Sequence, residues 1–214
     1  MEFSITKKSL LDCLSHFQSV VERRNTIPIL SNLKISAIEG GLSLTATDLA
    51  LELSESLTAN VLTTGGITIP SQLFFEIVRK APESSQISMK QDEKSGSVIV
   101  FFGKSKFSLP TLPIEDFPLM DSNNLDAEII LKSSDLKTLI NNSKFCMGLD
   151  ESRQYLNGIF LHTNGESILA VATDGHRLSK CSVLGKLDKK FDGIIIPKKS
   201  VYEISKLLED YNEN

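Results

Sequence analysis

Apolar and polar positions alternate along ILSNLKIS, from Ile29, and along LSLTAT, from Leu42. A period of two marks a strand with one buried face. The pattern predicts strands over Leu30–Ala37, Leu42–Thr47 and Leu49–Ala59, after a short first strand EFSIT. Ser9–Val20 reads as a helix, with a serine near its start as a candidate cap. GGITIP reads as a further strand, and its proline opens a second helix, a position that proline tolerates. QISMKQ, GSVIVFFG and SKFSLPTL follow as strands.

The same order then returns. Ala46-Thr47-Asp48 meets Ala172-Thr173-Asp174 at an offset of 172 − 46 = 126. Leu33 meets Ile159 and Ile35 meets Leu161 at that offset, and Leu10 and Leu14 meet Leu136 and Ile140. Pro70 meets Pro197 at 197 − 70 = 127, followed by Phe75-Glu76-Ile77 against Tyr202-Glu203-Ile204. Matching blocks in one order, at offsets differing by one, imply a duplicated domain, its unit far longer than a solenoid repeat. The second copy is expected to begin with a strand AEIILK and a helix Ser134–Lys144. Each unit reads as α+β, with two helices packed on antiparallel sheet. Domain 1 is expected over 1–120 and domain 2 over 127–214, with the boundary in the polar stretch Phe117–Asp126. Asn214 corresponds to 214 − 127 = 87, so strands after Ile87 have no counterpart. The second unit is therefore expected to lack its last strands, as in a shortened form or a piece of a longer protein.

Composition narrows the classes. The chain has 214 residues and a net charge of -4, so it is not a basic nucleic-acid binder throughout, although a local basic face remains open. Cys13, Cys146 and Cys181 show no metal-ligand spacing and read as reduced thiols, so no metal and no cofactor is expected. The N-terminus has no apolar signal core and no apolar run has membrane length, so the chain reads as cytoplasmic, with no membrane partner.

The stretch VATDGHRLSK, from Val171, holds the candidate chemistry. Asp174 has a twin in Asp48, and a residue shared by both copies most simply serves a turn common to them. Gly175, His176 and Arg177 replace Leu49, Ala50 and Leu51. An enzyme built on Asp174 and His176 would need a nucleophile or metal motif, and none is present, so no catalytic residue is expected. A docking groove fits better. Gly175 admits a partner backbone, His176 and Arg177 donate hydrogen bonds, and Leu156 and Leu178 give apolar walls. Basic residues recur on the helices: Lys7, Lys8, Arg23, Arg24, Arg79, Lys80, Lys137, Lys144, Lys198, Lys199 and Lys206. A positive face there would suit phosphate contact without sequence readout.

TIPILSNL, LSLTATDLALE, FSLPTLPIEDFP, YLNGIFLHT and VATDGHRL together resemble the bacterial sliding clamp, the beta subunit of DNA polymerase III. The resemblance covers the whole chain. It implies the clamp fold: three similar domains per subunit, paired head to tail as a homodimeric ring whose helices line a hole for duplex DNA. It implies a processivity factor without catalysis. The implied partners are the replicative DNA polymerase, a clamp loader, and repair and translesion polymerases that dock a short peptide in a hydrophobic groove. Carried over by position, the groove's second-domain wall falls on Leu156, Thr173, Gly175, His176, Arg177 and Leu178. DNA contact falls on Arg24, Arg79, Lys198 and Lys199. Asp150 lies in a nearby loop position and is left out, being an acid. Phe107 and Leu109 match the edge strand of the dimer interface. The third domain and the end of the second have no counterpart here. The alternative reading is an interaction module that keeps part of the groove without a ring.

Overall fold

The computed structural model describes residues 1–21, 26–92, 95–120, 129–185 and 193–210. The chain divides into two compact units, Met1–Asp121 and Ser122–Asn214.

Unit 1 begins with β1 (Glu2–Thr6) and α1 (Lys7–Phe17). Then come β2 (Asn32–Ile38), β3 (Gly41–Thr47), β4 (Glu52–Thr58), β5 (Asn60–Thr63) and β6 (Gly65–Pro70). It closes with α2 (Ser71–Lys80), β7 (Gln86–Asp92), β8 (Ser97–Phe102) and β9 (Ser105–Pro110). The strands form two antiparallel sheets, ordered β5-β1-β7-β8-β9 and β4-β3-β2-β6. α1 buries Leu10, Cys13, Leu14 and Phe17, the i, i+3, i+4, i+7 stripe of a helix with one apolar face. α2 buries Phe74, Ile77 and Val78. These stripes join Phe3, Leu33, Ile35, Leu42, Leu44, Ile69, Ile87 and Met89 in one core.

Unit 2 holds α3 (Ser133–Asn141), β10 (Gly158–Thr163), β11 (Ser167–Thr173), β12 (Leu178–Leu184), β13 (Ile194–Pro197) and α4 (Lys198–Asp210). Its sheet order, β12-β11-β10-β13, repeats β4-β3-β2-β6 of unit 1. The register repeats as well. Thr47 pairs Glu52 and Thr173 pairs Leu178; Asn32 pairs Pro70 and Gly158 pairs Pro197. The core gathers Leu139, Ile140, Cys146, Met147, Ile159, Leu161, Ala170, Ala172 and Val201. The duplication read from the sequence is thus a duplication of fold, α+β in each copy.

Several boundaries differ from the pattern. α1 starts at Lys7, and its cap is Thr6, whose Oγ1 accepts from the Ser9 N–H at 3.3 Å. α3 starts at Ser133 behind Lys132, which makes no side-chain cap bond. The strand expected from Leu30 starts at Asn32, because Pro28–Ser31 forms a 3-10 turn. The strand expected from Leu49 starts at Glu52, because the residues before it form a turn. β5 and the division into two sheets are not visible in the pattern. AEIILK is expected as a strand, but among the described residues Ile129–Lys132 pair with no strand, and Ala127 and Glu128 lie outside the described residues. In unit 1 the matching strand β1 is held between β5 and β7. At the repeat spacing, β5 maps to 60 + 127 = 187 through 63 + 127 = 190, outside the described residues, and β7 maps to 86 + 127 = 213 onward.

Candidate functional site

The stretch singled out in unit 2 is a hairpin turn between β11 and β12. Thr173 Oγ1 accepts from Gly175 N–H at 3.1 Å and donates to the Arg177 carbonyl at 2.7 Å. Asp174 Oδ1 accepts from the backbone N–H groups of His176 and Arg177, both at 3.0 Å. Its Oδ2 accepts from Arg177 Nε at 2.9 Å. The Arg177 backbone N–H, then that of His176, holds the Asp174 carboxyl down at about 2. The acid is thereby committed to the turn.

Unit 1 carries the same device. Thr47 Oγ1 accepts from Leu49 N–H at 3.0 Å. Asp48 Oδ1 accepts from Ala50 N–H at 2.9 Å and Leu51 N–H at 2.7 Å. Leu49 and Gly175 both hold left-handed backbone, at φ 74° and 89°. The Thr-Asp pair therefore builds the turn in each unit, and the residues after it differ between the units.

The surroundings of the unit 2 turn bring in residues that sequence reasoning missed. A 3-10 segment, Glu151–Leu156, ends in the half-buried Leu156, whose carbonyl accepts from Gly148 N–H at 2.8 Å. Asp150 caps that segment. Its Oδ1 accepts from the Ser152 hydroxyl at 2.7 Å and the Ser152 N–H at 2.8 Å, and its Oδ2 from Arg153 Nε at 3.0 Å. The Ser152 hydroxyl, then the Ser152 N–H and Arg153, lowers the Asp150 carboxyl to about 2. Arg153 in turn lies over the turn: a Cβ at position 175 would stand 3.2 Å from its Nη1. The Arg177 guanidinium lies 6.0 Å from the Phe145 ring centroid. Leu178, at 65% exposure, leaves an apolar side chain on the surface beside Arg177. The structure thus places Thr173, Gly175, His176, Arg177 and Leu178 on one turn, with the Leu156 segment alongside through Arg153.

The basic candidates divide by helix end. Arg79 lies in the last turn of α2, ion-paired with Glu76 at 2.6 Å and 5.9 Å from the Phe75 ring centroid. A cation there matches the helix dipole. Lys198 and Lys199 open α4, whose first turn holds no acid. Cations at that end oppose the dipole. Lys198 Nζ stands 6.0 Å from the Tyr202 ring centroid. Arg24 lies outside the described residues. Lys7 does not belong with these. Its side chain is 4% exposed and Nζ donates to Glu83 at 2.8 Å, so it is an internal tie. Lys144 likewise donates to Ser205 Oγ at 2.9 Å.

β9 is the edge strand of its sheet. Phe107 is part-exposed and stacks on Phe102 with ring centroids 5.5 Å apart. Leu109 is 2% exposed and belongs to the unit 1 core. Of the two expected interface residues, Phe107 is exposed and Leu109 is buried. No helix among the described residues is long and apolar enough to cross a membrane.

The sequence pattern of the DNA polymerase III beta subunit, N-terminal domain, matches residues 1–121, and that of its central domain matches residues 130–214. A beta sliding clamp from Caulobacter vibrioides is 40% identical over 218 residues, covering 100% of this chain. The chain spans 59% of the length of that relative. Among solved structures, the Caulobacter crescentus pol III beta matches with a TM-score of 0.93 at 39% identity, over 100% of this chain and 59% of that one. A sliding clamp from Bartonella birtlesii bound to griselimycin matches with a TM-score of 0.93 at 38% identity, over 99% of this chain and 58% of that one.

Proposed function

Because this chain belongs to the DNA polymerase III beta subunit family, we propose that it forms part of a sliding clamp, a non-catalytic ring that encircles duplex DNA in the cytoplasm and tethers the replicative polymerase. In this reading residues 1–120 are a complete first clamp domain. Residues 127–214 belong to a second clamp domain, and a third domain would complete each half of a homodimeric ring. A clamp loader would open that ring. Repair and translesion polymerases would share its docking site with the replicative enzyme.

The observation that carries the reading is the pair of matched turns. Both units commit a threonine and an aspartate to the same hydrogen bonds. Only unit 2 then presents Gly175, His176, Arg177 and Leu178, exposed, on a hydrogen-bonded hairpin. That supports a docking wall made of these residues with Thr173 and Leu156, whose occupant is a short peptide with apolar side chains. Griselimycin, bound by the Bartonella birtlesii clamp, is expected on the same wall.

Lys198 and Lys199 at the start of α4, Arg79 at the end of α2, and Arg24 are the proposed phosphate contacts. Lys198 and Lys199 support this most directly, as two adjacent cations at a helix start whose first turn holds no acid. Phe107 and the main chain of β9 are the proposed edge toward a partner subunit.

The experiment is a titration of the chain with duplex DNAs of unrelated sequence at several salt concentrations. The reading expects weak binding, equal across sequences, that falls steeply as salt rises. Binding that ignores salt, or that prefers one sequence, would refute the DNA-tracking role and leave the interaction module.

A further inference from the structure

The repeat gives a test of which residues the fold itself needs. Phe17–Val21 and Ser143–Met147 stand 126 residues apart and show one burial pattern: buried, half-buried, exposed, buried, buried. The buried places are filled by Phe17, Val20 and Val21 in unit 1 and by Ser143, Cys146 and Met147 in unit 2. The exposed place is Ser19 in unit 1 and Phe145 in unit 2. The fold is thus satisfied by a small polar residue where unit 2 displays a ring at 57% exposure. A lone exposed aromatic would need no explanation.

This one is not alone. Phe145 sits on the 3-10 turn Lys144–Cys146, and the Arg177 guanidinium lies over its ring at 6.0 Å. In unit 1 the place of Arg177 is taken by Leu51, a half-buried residue packed on the core. Both members of the ring–guanidinium pair therefore differ from unit 1 together. Arg177 is also held from a second side, through Nε to Asp174 at 2.9 Å. Its terminal N–H donors have no hydrogen-bond partner among the described residues. A guanidinium tied at Nε, with a ring beside it and terminal donors to spare, loses less rotamer freedom when an acceptor arrives.

Resting on the docking reading above, we propose that Phe145 is a positioning residue of the docking wall: its ring and the Asp174 carboxylate hold the Arg177 guanidinium so that its terminal N–H groups meet a main-chain carbonyl or a carboxylate of the docked peptide. Phe145 is then what makes Arg177 a directional donor and gives the wall specificity beyond apolar fit.

The test uses the 214-residue chain with Phe145→Leu, which keeps apolar bulk and removes the ring face, and Phe145→Tyr, which keeps the ring. Two quantities are read: hydrogen exchange at Arg177 Nε–H by NMR, and affinity for griselimycin by calorimetry. Phe145→Leu is expected to speed the exchange and weaken binding by about threefold, the worth of an exposed cation–π interaction, and Phe145→Tyr to restore both. The proposal is overturned if the parent chain binds and Phe145→Leu binds equally well, or if Phe145→Tyr fails to restore. Should the parent chain not bind griselimycin at all, the docking reading falls instead, and with it any positioning role, whatever the exchange rates show.

Discussion

Leu49 and Gly175 occupy the same left-handed backbone position in turns one repeat apart, at φ 74° and 89°. Leucine is strained in that conformation and glycine is not. Leu49→Gly should therefore stabilise unit 1 by about 1 kcal/mol, and Gly175→Leu should destabilise unit 2 by a similar amount. Gly175→Leu also crowds Arg153, 3.2 Å from the added Cβ. Urea unfolding of the two variants checks both signs. A loss of stability in Leu49→Gly would mean that the packing of the exposed leucine outweighs its backbone strain.

Asp174 sets an acid limit on unit 2. Its carboxyl is held at about 2, below the ordinary 3.8, chiefly by the backbone N–H of Arg177. The folded value lies below the unfolded one. The stabilisation is thus present in full above roughly pH 4 and fades as pH falls toward about 2. Asp174→Asn keeps an acceptor for the two backbone N–H groups and removes the titration. Its acid-unfolding curve should be shallower across that window, as followed by circular dichroism, and its stability at neutral pH should be lower than the parent's, because the amide lacks the charge that the turn favours.

Lys7 and Lys198 both flank helix starts, and the structure gives them opposite roles. Lys7 is buried and tied to Glu83. Lys7→Ala should lower the stability of unit 1 by about 1–2 kcal/mol, because it removes packing and a charged hydrogen bond, with DNA binding unchanged. Equilibrium unfolding and a DNA titration on the same variant separate the two effects.

For α4 the expectation reverses. Lys198→Ala with Lys199→Ala removes two cations from the positive end of the helix, and the chain should still fold. The slope of log affinity for duplex DNA against log salt should fall by about two, one for each phosphate that a lysine no longer neutralises. An unchanged slope would remove both lysines from the DNA-facing set.

Much of the fold was legible because the chain states it twice. Strand alternation at Leu33 and Ile35 recurs at Ile159 and Leu161, and these pairs occupy the same places in the two sheets. The docking candidates stood out where the second copy departs from the first. Local capping was less legible. Ser9 has the residue type of a cap but donates its N–H to Thr6. Leu109 alternates correctly along its strand, yet nothing in the alternation tells which face is covered; the packing of unit 1 puts it inside. Arg153 and Phe145 reach the turn from other segments, a proximity that spacing along the chain does not encode.

The most direct measurement exchanges the two turns. Gly175-His176-Arg177-Leu178 is replaced by the unit 1 residues Leu49-Ala50-Leu51-Glu52, keeping the Thr-Asp pair that builds the hairpin, and griselimycin binding is measured by calorimetry alongside the parent chain. The account predicts a folded protein, somewhat less stable for its left-handed leucine, that no longer binds the ligand. A folded exchange variant that binds as tightly as the parent would contradict the claim that this turn is the docking wall.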